Sequence, residues 1–77
     1  MKKHSVKIFS HPTSFCLEDE FWDALQLIAK QSEHSLSSLI EYVDETREGK
    51  NLSSALRVFI LQWFQKTWAR PPFENFK

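Results

Sequence analysis

The side chains best suited to acid–base, nucleophilic or metal chemistry in this chain are His4, His11, His34 and Cys16. They are poorly spaced for it. No H-x-x-x-H or H-E-x-x-H pattern places two imidazoles on one helical face. His11 and Cys16 lie five residues apart in a stretch that reads as strand, so they face opposite sides. One cysteine excludes an intrachain disulfide and a thiolate-rich zinc centre. One glycine excludes a Gly-rich phosphate loop. The expectation is no catalytic residue, no metal, no cofactor and no enzyme.

The lysines are a different matter. The net charge of zero hides a pattern. Residues 1–16 carry Lys2, Lys3 and Lys7 and no acid, a charge of +3. Residues 17–48 carry nine acids against Lys30 and Arg47, which gives −7, and residues 49–77 carry five bases against Glu74, which gives +4. A basic arm of this size attracts a polyanion when two or more converge in an oligomer; alone it is a solvated tail that aids solubility.

At 77 residues the chain is one domain at most. Area scaling gives about 63% of the unfolded surface buried in a compact monomer of this mass, which is marginal. With no disulfide or metal expected, oligomerisation is the remaining ordinary support. Hydrophobic residues make up 42% and charged residues 26% of the chain. That balance is globular and not disordered. Val58–Leu61, the longest apolar run, is too short for a membrane span, and no apolar h-region follows Lys2-Lys3. A lone cysteine fits a reducing cytoplasm, the expected location.

The elements that must position the lysines follow from periodicity. Residues 4–17 alternate: Val6 and Ile8 oppose Ser5, Lys7 and Phe9, and Thr13, Phe15 and Leu17 oppose Ser14 and Cys16. Pro12 breaks the run or sits at an edge, leaving either two short strands or one bent one. Glu18-Asp19-Glu20 opens a first helix, expected at 19–32, with Phe21, Ala24, Leu25, Ile28 and Ala29 at helical spacing. Ser35 caps a second helix, 36–48, whose stripe is Leu36, Leu39, Ile40 and Val43. Gly49 stands where a left-handed C-terminal cap belongs.

Asn51 caps a third helix, 52–68. One stripe holds Leu52, Ala55, Leu56, Phe59, Ile60, Trp63 and Phe64, and a second holds Val58, Leu61 and Trp68. A helix apolar on two sides is buried on two sides, so the second is expected to meet another subunit. Arg57 is expected to be a salt-bridge partner at an interface, not a DNA contact, pairing with an acid of the −7 segment. Leu36-Ser37-Ser38-Leu39 echoes Leu52-Ser53-Ser54-Ala55 as common helix-start chemistry. Residues 1–70 form the domain, and 71–77, after Pro71-Pro72, a tail. Because strand edges are exposed and an isolated hairpin is marginal, the strands are expected to pair with a second copy across a two-fold axis.

This order, strand followed by helices, resembles the ribbon–helix–helix plan of the Arc, MetJ and CopG type. Leu17 is followed by Phe21, Trp22 and Leu25, then by the Glu33-His34 turn, the Ser35 cap and Leu39-Ile40. The runs S-H-P-T-S-F-C-L-E-D-E-F-W-D-A-L and N-L-S-S-A-L-R-V-F-I-L resemble a bacterial subfamily of short DNA-binding proteins, over roughly residues 3–64. Glu33 stands where the family has a turn glycine, and the third helix is an addition to the minimal fold.

The resemblance implies a mainly α homodimer with an intermolecular antiparallel β-ribbon, acting as a sequence-specific transcription regulator on double-stranded DNA. The ribbon enters the major groove. If 13–17 is the ribbon, Ser14 and Cys16 face outward; if 5–9 joins, Ser5 and Lys7 do. Lys7 contacts base or phosphate; Lys3 and Lys2 contact the backbone; Ser5 and Ser14 face the groove. Ser35, with the amides of Leu36 and Ser37, suits one phosphate. Phe15, Leu17, Ile40, Phe59 and Trp63 are expected at the dimer interface. The bland alternative for Lys7 is an edge-guarding lysine. The rival function is a protein-interaction module, an antitoxin or adaptor, binding a partner protein through the third helix and the tail Phe73–Phe76.

Overall fold

The computed structural model describes residues 1–67. Two strands, β1 (Lys2–Ile8) and β2 (His11–Leu17), precede three helices, α1 (Asp19–Ser32), α2 (Leu36–Thr46) and α3 (Leu52–Thr67). The strands pair antiparallel with each other, Lys2 opposite Leu17 through Ile8 opposite His11. The extended segment thus finds its first hydrogen-bonding mate in its own chain. Of the two arrangements expected around Pro12, two short strands form, and a turn at Phe9-Ser10 closes them into a hairpin.

That turn is unusual in its residues. Phe9 and Ser10 have φ of 49° and 65°. A two-residue hairpin loop with both φ values positive is type I′, whose twist matches that of the strands and which favours Asn-Gly. Phe-Ser carries no such signal, which is why the sequence alone left the register open.

The inward side chains of the hairpin are His4, Val6, Ile8, Thr13, Phe15 and Leu17. Of these, Ile8, Phe15 and Leu17 join Leu25, Ile28 and Ala29 of α1, Leu39, Ile40 and Val43 of α2, and Leu52, Ala55, Leu56 and Ile60 of α3 in the core, with Val6 packed against it. Each helical set follows the i, i+3, i+4 spacing of one buried face. Phe15, Leu17 and Ile40 are 5%, 0% and 0% exposed. Helices of the same chain cover all three. Phe59 and Trp63 are half-buried against that core.

The helix ends match their chemistry, with exceptions. Ser35 Oγ accepts the Ser38 amide at 3.0 Å. Asn51 Oδ1 accepts the Ser54 amide at 3.3 Å. Both are N-caps that bond the third residue onward, which accounts for the L-S-S echo. Glu33 ends α1 in the left-handed region, φ 61°. The His34 amide there donates to Ala29 O at 3.1 Å, as such an end requires. Helix α2 stops at Thr46, two residues earlier than expected; Arg47 is its cap, and Glu48 takes φ 54° before Gly49 at 84°. Val58 and Leu61, the expected second stripe of α3, are 42% and 56% exposed. Trp68, the 68–70 end of the domain and the 71–77 tail lie outside the described residues. No helix among the described residues is long and apolar enough to cross a membrane.

Candidate nucleic-acid interface

The hydrogen-bond parity of the hairpin follows from Pro12. In an antiparallel ladder, hydrogen-bonded pairs exchange two N–H···O bonds and alternate with pairs that exchange none. Proline has no N–H, so Lys7 opposite Pro12 is a non-hydrogen-bonded pair. Ser5 opposite Ser14 and Lys3 opposite Cys16 share that parity. Side chains of such pairs approach closely, and the Ser5 and Ser14 Oγ atoms are 3.2 Å apart.

These same residues form the face of the hairpin turned away from the core. Lys3, Ser5 and Lys7 on β1, and Pro12, Ser14 and Cys16 on β2, are all exposed. The structure thus brings Lys3, Ser5, Lys7 and Ser14 onto one surface, and Cys16 joins them, exposed and free. No carboxylate belongs to either strand. Two acids of the flanking elements are committed to other partners. Glu41 of α2 accepts the Phe9 amide at 3.1 Å and so holds the turn down. Glu18 accepts from Arg57 Nε at 3.0 Å and Nη2 at 3.3 Å. The Arg57 hydrogen bond holds the Glu18 carboxyl below the usual carboxylate range. The expected acid partner of Arg57 is thus Glu18, within the chain.

Ser35 and Ser37 stand apart from this face, at the start of α2. The Ser35 hydroxyl is committed to the cap: it accepts from the Ser38 amide and donates to Ser38 Oγ at 2.8 Å. The amides of Leu36 and Ser37 are first-turn donors with no intrahelical acceptor. Ser37 is half-buried.

Two residues that bear on the face were not apparent in the sequence. The Cys16 amide donates to Ser53 Oγ of α3 at 3.2 Å. His4, on the inner side, stacks on Trp22 with centroids 3.7 Å apart and planes 7° from parallel. The first joins residues 37 apart, and no local pattern marks it. The second is a long-range aromatic contact with no local signal. Among the described residues, no cluster of His, Cys, Asp and Glu could hold a metal ion.

A family model described as a ribbon-helix-helix domain matches residues 1–64. No curated protein and no solved structure matches the chain. Ribbon-helix-helix domains typically bind DNA, as transcription regulators or antitoxins, and are generally not enzymes. A two-stranded antiparallel element followed by helices, matched over these residues, makes the chain a member of the ribbon-helix-helix domain family.

Proposed function

We propose that this protein is a sequence-specific, DNA-binding transcription regulator that works as a homodimer and presents the outer face of its hairpin to the major groove. The observation that carries the reading is the acid-free surface of Lys3, Ser5, Lys7 and Ser14 on the side of the strands opposite the core. The major groove admits a pair of β-strands, and lysine donates to guanine acceptors and to phosphate alike. Lys7 is the base-reading candidate. Lys3 and Lys2 supply attraction that is blind to sequence. The first-turn amides of Leu36 and Ser37, beside Ser35, suit a backbone phosphate.

The test is a mobility-shift titration of the full chain on genomic fragments across a salt series. Log affinity should fall linearly with log salt, and some fragments should bind well above the rest. Negligible binding to all fragments even at low salt would overturn the reading.

A second reading has an observation of its own. A groove of about 400 Å³ between α1 and α3 is lined by Phe21, Ala24, Val58, Leu61 and Phe64. Exposed apolar surface of this kind suits a partner protein. A stoichiometric second protein, copurified and lost on Leu61→Glu, would support that role beside DNA binding.

A further inference from the structure

Helices α2 and α3 leave a groove of about 250 Å³ between them. Phe59 and Trp63 of α3 line it, half-buried against the core. Tyr42 of α2 lines the other side. It is 57% exposed, and its ring lies 6.1 Å from that of Phe59, tilted by 60°. A second groove, of about 420 Å³, shares these three aromatic residues, so the ring-lined space extends beyond the first.

The rim of the first groove is cationic. Arg47, Lys50 and Lys66 line it, and no carboxylate does, although α2 carries Glu41, Asp44 and Glu45. Arg47 is fixed from two sides: Nε donates to Asp44 Oδ1 at 2.8 Å and Nη1 to Lys50 O at 2.7 Å. Asp44 offsets its charge. Lys50 and Lys66 form no ion pair among the described residues. Lys50 stands just before the start of α3, and Lys66 lies in its last turn. The apolar groove between α1 and α3 differs on this point, because its one cation, Arg57, is held by Glu18.

We propose that the α2–α3 groove binds a small aromatic anion, its ring seated among Tyr42, Phe59 and Trp63 and its charged group toward Lys50. Ligand sites are mostly apolar, with a few polar groups that fix orientation. Aromatic side chains hold a flat ring by stacked or edge-on contact. Lysine is a compact point charge that meets a carboxylate without demanding a particular geometry. The Lys50 end carries the second cation, Arg47, and its turn is tied by the Lys50 amide donating to Arg47 O at 3.0 Å. Lys66 stands alone about three helical turns from Ala55, too far along the groove to share the same charged group. No residue of the hairpin takes part, so the site is independent of the DNA-binding reading.

The test is calorimetric titration of the full chain with 2-naphthoate at low salt and without DNA. Saturable binding at one site per chain is expected, with a Kd of about 0.1–1 mM for a ligand of this size. Acetate, which lacks the ring, and naphthalene-2-carboxamide, which lacks the charge, should each bind about tenfold more weakly or not at all. Tyr42 and Lys50 are exposed, so Tyr42→Ser and Lys50→Gln should keep the fold, as circular dichroism checks. Each should weaken 2-naphthoate by about two- to fivefold, and Lys66→Gln should leave it unchanged. Amide ¹H–¹⁵N shifts on titration should centre on Tyr42, Lys50, Phe59 and Trp63. No saturable binding, equal affinity for the carboxamide, a loss with Lys66→Gln but not Lys50→Gln, or shifts centred on Phe21 and Leu61 would each overturn the proposal.

Discussion

Arg57 grips Glu18 with two nitrogens, Nε to Oε1 at 3.0 Å and Nη2 to Oε2 at 3.3 Å, and so ties the middle of α3 to the residue that starts α1. The guanidinium also lies 5.9 Å from the Phe21 ring centroid. Planar, paired donation of this kind belongs to arginine and not to lysine. The Glu18 carboxyl titrates below its ordinary 4.5, with the Arg57 hydrogen bond the largest cause. A carboxylate whose folded pKa is depressed adds stability above its unfolded pKa and loses it as pH falls through the folded value. Resistance of the wild type to chemical denaturation should therefore fall from about pH 4.5 downward. Glu18→Gln should be less stable than the wild type at pH 7 and should approach it in acid. Arg57→Lys should not restore the difference. A constant gap between wild type and Glu18→Gln from pH 7 to pH 3 would contradict the pair.

The Phe9-Ser10 turn holds two non-glycine residues at positive φ. A left-handed conformation costs an L-residue about 1–2 kcal/mol, and Asn-Gly relieves most of that in a type I′ turn. Replacing Phe9-Ser10 with Asn-Gly should stabilise the fold by about 1 kcal/mol, or roughly 4–8 °C in Tm. The Glu41 contact is to the backbone amide and survives the change. A lower Tm would mean that the Phe9 ring, 47% exposed, contributes more than the turn geometry costs.

Glu33 poses the same question at a helix end. Its φ is 61°, and glycine is the usual residue at such a position. Glycine there removes the Cβ clash but loses more chain entropy, by roughly 0.5–1 kcal/mol. The net for Glu33→Gly is a gain of about 0.5–1 kcal/mol. Glu33→Ala keeps the Cβ and should give none, so equal melting temperatures for the two variants would exclude conformation as the cause.

Local chemistry made most of the elements legible. The acids before Phe21 and the Ser35 and Asn51 caps mark helix starts that the structure reproduces at Asp19, Leu36 and Leu52. Alternation assigned the faces of both strands, including Ser5, Lys7, Ser14 and Cys16 outward. What stayed hidden was long-range or conformationally atypical. Phe-Ser gives no warning of a type I′ turn, so the register that sets Lys7 against Pro12 could not be read. Phe15, Leu17 and Ile40 are apolar in the right rhythm, but rhythm does not say whether the facing surface belongs to the same chain or another. Here it belongs to the same chain, because the hairpin folds over all three helices. The Cys16–Ser53 bond joins residues 37 apart and ties β2 to α3.

Lys7 is the sharpest test of the outer face. It is exposed, sits opposite Pro12, and forms no ion pair among the described residues. Lys7→Ala should leave the thermal melt unchanged, since the side chain packs on nothing in the core. If Lys7 reads a base edge, the substitution should cost about 1–3 kcal/mol on the preferred fragment and little on random duplex. If it meets only phosphate, the loss should be uniform across fragments, and the slope of log affinity against log salt should become shallower by about one per copy. Lys3→Ala is the comparison, because Lys3 is assigned to the backbone and should follow the second pattern. Unchanged affinity and salt slope for Lys7→Ala would take this residue out of the interface and leave it as a guard of the β1 edge.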